Sequence, residues 1–97
     1  MTKIHTEAIE QLSKAIVCIE NEEECAAFLE DICTIKELQD ISQRLEVALM
    51  LKNGSNYQEV SKKTGASTAT ICRVNKCLLY GGGGYKSILD KIDGKDE

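Results

Sequence analysis

The sequence predicts an all-α protein of about six helices. Its 97 residues include no proline, the residue that interrupts helices most strongly. Apolar residues recur every three or four positions, and the alternation of apolar and polar residues typical of strands is absent. Residues that cap or end helices, chiefly Asn, Ser, Thr and Gly, separate these stretches. A chain of this length suits one domain, so we expect a single domain over residues 1–97.

The first two helices are predicted from an apolar stripe and a cap. Between Ile4 and Ile19 the apolar residues follow helical spacing, so an amphipathic helix is expected over roughly 4–20. Asn21 can cap the next helix, and the acids at 22–24 then lie in its first turn, where the helix dipole favours negative charge.

The third helix is predicted to begin at a capping box and to be the longest. Thr34 and Glu37 have the spacing at which each side chain accepts a hydrogen bond from the other residue's backbone N–H. Apolar residues continue at helical spacing to about Lys52, where Asn53 and Gly54 form a helix stop. Because its apolar stripe is the widest, we expect this helix to be the central packing element.

Two short helices with a glycine between them predict a helix-turn-helix over about 56–79. Ser55 and Gln58 have capping-box spacing at the start of the first helix. Gly65 ends that helix, and Ser67 caps the one that follows.

Apolar and small residues are predicted to lie on opposite sides of this motif. Val60 and Thr64 of the first helix face inward, as do Ile71 and Val74 of the second. The start of the second helix exposes only short side chains, those of Ser67, Thr68, Ala69, Thr70 and Cys72. Short side chains let the backbone approach a major groove closely, and hydroxyls can reach phosphates or base edges. The predicted partner is therefore double-stranded DNA.

The charge distribution favours the same partner, although the whole chain has a net charge of −4. Residues 57–80 hold four cations and one acid, a net charge of +3, whereas residues 1–34 have a net charge of −6. Positive charge near the predicted helix-turn-helix would attract phosphates. A solvated positive face would give a similar pattern, so this observation alone leaves both interpretations open.

The C-terminal part is predicted to contain a joint and one more helix. The glycines at 81–84 disfavour a helix, because each costs ~1 kcal/mol there, and we expect a flexible joint. A last helix follows over about 85–92, and residues 93–97 form a frayed tail.

Residues 33–78 resemble the Trp repressor superfamily, in particular its TrpR-like YerC/YecD branch. The segments that carry the resemblance are "QRLEVALML" at 43–51 and "TGASTATICRV" at 64–74. The resemblance implies an all-helical fold and an intertwined homodimer in which the N-terminal helices cross between subunits. Family members bind DNA through the helix-turn-helix as transcriptional regulators. Repressors give the family its name, but this sequence leaves repression and activation open.

The predicted DNA contacts combine the exposed helix start, the nearby cations and the resemblance. The resemblance implies that Gln58 and Ser61 lie toward the DNA backbone, while the start of the second helix meets the groove. The full predicted set is Gln58, Ser61, Lys62, Lys63, Ser67, Thr68, Ala69, Thr70, Cys72 and Arg73.

The resemblance also implies a pocket for an effector or anion. Arg44 and Arg73 match two arginines that sandwich the indole in tryptophan-responsive members. The pattern has a glycine at Val74, whose side chain would enter the indole slot, so the protein is predicted not to respond to tryptophan. The two arginines would then bind another anion or make internal hydrogen bonds. The predicted pocket comprises Thr34, Arg44, Thr70, Arg73, Val74 and Cys77.

Other functions find little support in the sequence. His5 is the only histidine, and no spacing assembles a nucleophile, a base and an orienting group, so we expect neither an enzyme nor a cofactor. The five cysteines include no C-x-x-C pair, which indicates buried, reduced thiols of a cytoplasmic protein and no metal site. No window approaches the ~18 apolar residues of a membrane helix. A helical protein-interaction module without DNA binding remains the alternative.

Overall fold

The computed structural model describes residues 6–95, and all of its regular structure is helical. His5, the predicted helix start at residue 4 and the last tail residues, 96 and 97, lie outside the described part. The six helices are α1 (Glu7–Val17), α2 (Glu22–Ile32), α3 (Ile35–Lys52), α4 (Tyr57–Thr64), α5 (Thr68–Tyr80) and α6 (Gly84–Lys95). The all-α prediction is therefore confirmed.

Contacts divide the chain into two units, one up to Leu38 and one from Gln39 onward. The expectation of a single domain stays a prediction.

In the first unit, side-chain caps begin the helices. Thr6 Oγ1 accepts the N–H of Ile9 at 3.2 Å at the start of α1. Asn21 Oδ1 accepts the N–H of Glu24 at 2.8 Å at the start of α2, as predicted. Neither α1 nor α2 contains a buried residue, so their apolar stripes stay exposed within the chain.

The helix α3 begins at the predicted capping box. Thr34 Oγ1 accepts the N–H of Glu37 at 3.0 Å, and the Glu37 carboxylate accepts the N–H of Thr34 at 2.8 Å. Within α3, only Val47 and Ala48 are buried. The apolar residues of its first half remain partly or largely exposed, so only the C-terminal half of α3 acts as the expected packing element.

The core of the second unit is small and lies beneath α4 and α5. Its members come from the end of α3, both helices of the helix-turn-helix, the turn between them and α6. They are Val47, Ala48, Val60, Ala66, Ile71, Val74 and Leu89, each at most 2% exposed.

The capping box of α4 lies one residue later than predicted. Asn56 Oδ1 accepts the N–H of Glu59, and the Glu59 carboxylate accepts the N–H of Asn56, both at 2.9 Å. The predicted pair was Ser55 and Gln58, which has the same spacing. A carboxylate accepts hydrogen bonds more strongly than a neutral amide, which favours the observed register.

The last helix is longer than predicted at both ends, since it begins at Gly84 and reaches Lys95. Gly83 precedes it with a φ of 92°, a left-handed conformation that glycine adopts without strain. Lys52 of α3 donates to Asp90 at 3.2 Å and also pairs with Asp93, which ties α6 to the end of α3.

The cysteines are more exposed than expected. All five are free thiols, yet Cys18, Cys72 and Cys77 are exposed, so the prediction of buried thiols is wrong for these three. No cluster of three or more potential metal ligands occurs within residues 6–95. None of the helices there combines the length and hydropathy of a membrane-spanning segment.

Candidate nucleic-acid interface

The turn between α4 and α5 is held by its backbone conformation and by side-chain hydrogen bonds. Gly65 adopts a φ of 75°, as predicted, and its N–H donates to the carbonyl of Ser61 at 2.9 Å. Ser61 Oγ donates to the carbonyl of Ala66 at 3.1 Å. The Ala66 N–H donates in turn to Thr64 Oγ1 at 3.1 Å. These bonds connect α4 with the residues that lead into α5, so they fix the start of α5 relative to α4.

Core packing fixes the rotation of both helices about their axes. Val60 of α4 and Ile71 and Val74 of α5 are at most 1% exposed, as predicted. They share a cluster with Val47 and Ala48 of α3. Turning either helix would expose these side chains, so the outward faces of α4 and α5 are determined by the core.

The first turn of α5 is capped by a hydroxyl. Ser67 Oγ accepts the N–H of Thr70 at 3.1 Å and donates its own proton to Thr70 Oγ1, also at 3.1 Å. Ser67 therefore serves as the predicted N-cap. Because Ser67 donates its hydroxyl proton to Thr70 Oγ1, it cannot also donate that proton to a phosphate.

The outward face of α5 carries short side chains in its first two turns and positively charged side chains further along. Ala69 and Cys72 are exposed in the first two turns. Arg73 and Lys76, also exposed, follow Ala69 at helical spacings of four and seven residues, which places them on the same face. A ligand could therefore approach the backbone closely at the start of α5, and positive charge follows along the same face.

A polar cleft of about 350 Å³ lies between the starts of α4 and α5, and we name it the α4-side cleft. It is lined by Tyr57, Gln58, Ser61, Lys62 and Thr68. Lys63, the neighbouring cation, is exposed near the end of α4 and does not line it.

A second polar cleft, of about 210 Å³, lies between α3 and α5, and we name it the α3-side cleft. It is lined by Asp40, Gln43, Arg44, Thr70 and Arg73. Gln43 Nε2 donates to the carbonyl of Thr64 at 3.1 Å, which ties α3 to the helix-turn-helix beside this cleft.

The α3-side cleft brings together three residues of the predicted effector pocket: Arg44, Thr70 and Arg73. Val74 is instead buried in the core, and Cys77 is exposed outside the cleft. Thr34 occupies the capping box of α3.

Four residues at these surfaces were missed by the sequence prediction. Tyr57 lines the α4-side cleft, and Asp40 and Gln43 line the α3-side cleft. Lys76 lies on the outward face of α5, where its seven-residue spacing from Ala69 could have identified it. The sequence offers no comparable signal for the cleft residues, because their role depends on how neighbouring helices cross.

The comparisons with known proteins agree with this geometry. The family described as Trp repressor protein matches residues 7–93. The chain belongs to the Trp repressor family. Among curated relatives, the uncharacterized protein YerC of Bacillus subtilis (strain 168) is 46% identical over 90 residues, which cover 93% of this chain and 86% of YerC.

Two solved structures share the fold. One, described as a candidate Trp repressor from Staphylococcus aureus, has a TM-score of 0.89 at 44% identity, covering 95% of this chain and 92% of its own. The other, a TrpR-like protein from Eubacterium eligens ATCC 27750, also has a TM-score of 0.89, at 45% identity and 96% coverage of both chains. The six helices thus form a Trp-repressor-like fold, and the predicted resemblance is confirmed.

Proposed function

We propose that this Trp repressor family protein is a sequence-specific DNA-binding transcriptional regulator. The observation that carries the proposal is the outward face of α5, where short, exposed side chains in the first turn precede two cations. The 13-residue α5 would lie in the major groove, with α4 against the DNA backbone. Ala69 and Cys72 would approach base edges, and Arg73 and Lys76 would contact phosphates.

Local charge supports this proposal despite the acidic composition of the chain. Residues 57–80 carry a net charge of +3, and in the structure Lys62, Lys63, Arg73 and Lys76 are all exposed. Attraction between these cations and phosphates acts over about a Debye length, ~8 Å at physiological salt. Cations within this distance of a phosphate therefore attract it even though the net charge of the whole chain is negative.

We further propose that the protein binds DNA as a homodimer. The apolar stripe of α1 includes Ile9 and Ile16, 43% and 49% exposed, and no residue of α1 or α2 is buried. A separate apolar groove of about 430 Å³ lies between α3 and α6, with Leu45 and Ile88 in its lining. Apolar surface of this extent is typical of protein interfaces. A second copy would cover it.

The same proposal excludes tryptophan as an effector. Val74 is 1% exposed and packed in the core of the second unit, where it takes the space that a glycine would leave open. The α3-side cleft that remains is lined only by polar and charged side chains. Calorimetric titration with tryptophan is expected to show no binding heat, and a clear binding isotherm would overturn this part of the proposal.

Random-site selection with the purified protein tests DNA binding directly. The expected result is an inverted repeat, because two-fold related copies of α5 would read two half-sites about 34 Å apart. Recovery of a single unsymmetrical half-site would contradict the dimer. Recovery of no enriched sequence, together with no binding to unrelated duplexes, would contradict DNA binding itself.

The alternative, a protein-interaction module without DNA binding, is favoured by the same exposed apolar stripes. Salt distinguishes the two functions. A protein that makes 6–10 phosphate contacts loses about 10³–10⁵ in affinity between about 50 and 200 mM salt. An apolar helix interface changes little over that range, so salt-insensitive binding to a protein partner would support the alternative.

A further inference from the structure

The α4-side cleft contains Tyr57, to which the predicted DNA interface gives no role. We propose that this cleft holds one phosphodiester of the DNA backbone, bound by the side chains of Tyr57, Gln58, Lys62 and Thr68. This inference rests on the proposed function and adds a specific ligand group to it. A seated phosphate would set the position of α4 on the backbone and hence the register of α5 in the groove.

The hydrogen-bond donors that line the cleft are not bonded to other groups of the described residues, so they can bind a ligand. Within residues 6–95, the side chains of Tyr57, Gln58, Lys62 and Thr68 have neither a hydrogen-bond partner nor an ion-pair partner. Tyr57 is 37% exposed, and the other three are exposed. The four side chains supply hydroxyl, amide and ammonium donors to one concave surface, and such a set fits a ligand rich in acceptors.

The fifth lining residue, Ser61, has a different role. Its hydroxyl proton is donated to the carbonyl of Ala66, so it cannot also be donated to a phosphate oxygen. Ser61 is therefore a positioning residue that connects the wall of the cleft to the turn. This assignment revises the predicted role of Ser61 as a DNA contact.

The charge of the cleft selects an anion. Among the residues that the structure describes, Lys62 is the only charged one in the lining of the cleft. The nearest acid in sequence, Glu59, has its carboxylate bound to the N–H of Asn56 in the capping box and does not line the cleft. A phosphodiester carries one negative charge and several accepting lone pairs, which match one ammonium group and three neutral donors.

Tyr57→Phe and Lys62→Gln test the cleft, with Tyr80→Phe and Lys91→Gln as matched controls. Tyr80 is 81% exposed at the end of α5, and Lys91 is exposed on α6. Tyr57→Phe is expected to weaken binding about tenfold to both the selected site and unrelated duplexes, since it removes one hydrogen bond to a charged group. Lys62→Gln should weaken binding on every sequence and reduce the salt slope by about 1. The controls should match the wild type.

A neutral methylphosphonate, placed at each backbone position of the selected site in turn, identifies the phosphate. At one position it should weaken binding of the wild type more than binding of Tyr57→Phe, because the variant has already lost one of the hydrogen bonds to that phosphate. Equal losses for both proteins at every position would overturn the proposal. Thermal unfolding of each variant, expected to equal that of the wild type, excludes misfolding as the cause.

Inorganic phosphate, exchanged for chloride at constant ionic strength, distinguishes the DNA backbone from a free anion. It should compete with DNA more strongly for the wild type than for Tyr57→Phe. Saturable phosphate binding that leaves DNA affinity unchanged would assign the cleft to a free anion and overturn the proposal.

If both variants bind DNA like the wild type, the proposed phosphate site is wrong while DNA binding stands. A wild type that binds no DNA would instead overturn the proposed function.

Discussion

At the scale of single residues, neighbouring side chains at the start of α5 face three different surroundings. Thr68 lines the α4-side cleft, and Thr70 lines the α3-side cleft. Ala69, between them, is exposed on the outward face. Within one turn of helix, the side chains of Thr68, Ala69 and Thr70 therefore lie on three different surfaces, so a substitution at each tests a different part of the proposed interface.

Ala69→Asp separates DNA binding from stability. Ala69 is the second residue of α5, where a carboxylate interacts favourably with the positive end of the helix dipole. The variant should therefore be as stable as the wild type or up to about 1 kcal/mol more stable. Its affinity for DNA should fall at least about tenfold, because the new charge would face phosphates and bases. Thermal unfolding and fluorescence anisotropy measure the two effects.

Ser87→Asp is the control for Ala69→Asp. Ser87 is exposed on α6 and lies outside both polar clefts, so the same added charge should leave DNA affinity nearly unchanged. Equal losses in the two variants would mean that net charge, and not the position of Ala69, determines affinity.

Sequence reasoning reached some of these residues and not others. The short side chains at the start of α5 were predicted to be exposed from a local pattern, a run of small residues beside a glycine. It did not separate the surroundings of Thr68 and Thr70, because those depend on where α3 and α4 cross α5. It also placed Cys72 among buried thiols while assigning it to DNA, and the structure exposes its side chain.

At the scale of elements, the turn between α4 and α5 depends on one backbone conformation. Gly65→Ala should lower the free energy of unfolding by about 1–2 kcal/mol, because a Cβ disfavours the left-handed φ of 75°. No atom outside the turn would contact the new methyl group, so backbone strain is the cause. Denaturant unfolding at fixed protein concentration measures the loss.

Gly94→Ala provides the matched control for Gly65→Ala. Gly94 lies within α6, has no positive φ and has open space around its Cα. The same substitution there should raise the free energy of unfolding by up to about 1 kcal/mol, since alanine favours a helix. Losses of similar size at both glycines would refute strain at the turn.

The contact between α3 and α6 should respond to alkaline pH. Hydrogen bonding to Asp93, with further contributions from Asp90, raises the pKa of Lys52 above its usual 10.5. A raised pKa in the folded state means that the ion pairs stabilise the protein below pH 10.5 and that this contribution is lost as pH rises through the folded pKa. Lys52→Met should therefore be less stable than the wild type at neutral pH, and the difference should disappear at strongly alkaline pH.

Lys91→Met is the control for the pH experiment, since Lys91 has no carboxylate within ion-pair distance among the described residues. Its stability relative to the wild type should show no such change with pH. A difference for Lys52→Met that persists at strongly alkaline pH would assign the effect to the alkyl chain of Lys52 and not to its charge.

Helix boundaries were largely predictable because caps are local. The caps Asn21, Thr34 and Ser67 and the stop at Gly65 all occur where the sequence places them. The start of α4 was off by one residue because two overlapping tetrapeptides satisfy the same capping pattern. Only the relative strength of their hydrogen bonds distinguishes them.

At the scale of the whole molecule, the apolar stripes of the helices exceed what the chain itself buries. The core of the second unit holds seven residues, while Ile41, Leu45 and Ile88 around its apolar groove remain 37–51% exposed together with Ile92. The sequence predicted the apolar stripe of α3 and made this helix the central packing element. Periodicity identifies an apolar face but not the molecule that covers it. The sequence therefore could not show which apolar side chains are buried within the chain and which are left for a partner.

The proposed second copy would cover this surface, and Ile88→Asp tests that proposal. Ile88 is 51% exposed and lines the groove between α3 and α6, where a carboxylate could not be buried without a large penalty. The wild type should have the mass of a dimer in light scattering, and Ile88→Asp should be monomeric at the same concentration. Helical content should also fall, because α1 and α2 bury no residue within the chain.

The loss of the dimer should weaken DNA binding more than the loss of any single contact. Two linked copies of α5 bind one duplex with an affinity raised by their effective concentration, about 10²–10⁴-fold over one copy. Ile88→Asp should therefore bind an inverted repeat no more tightly than a single half-site, whereas Ser87→Asp, one residue away and outside the groove, should retain the preference. A monomeric wild type that prefers the inverted repeat would contradict this, because its symmetry would then arise only on the DNA.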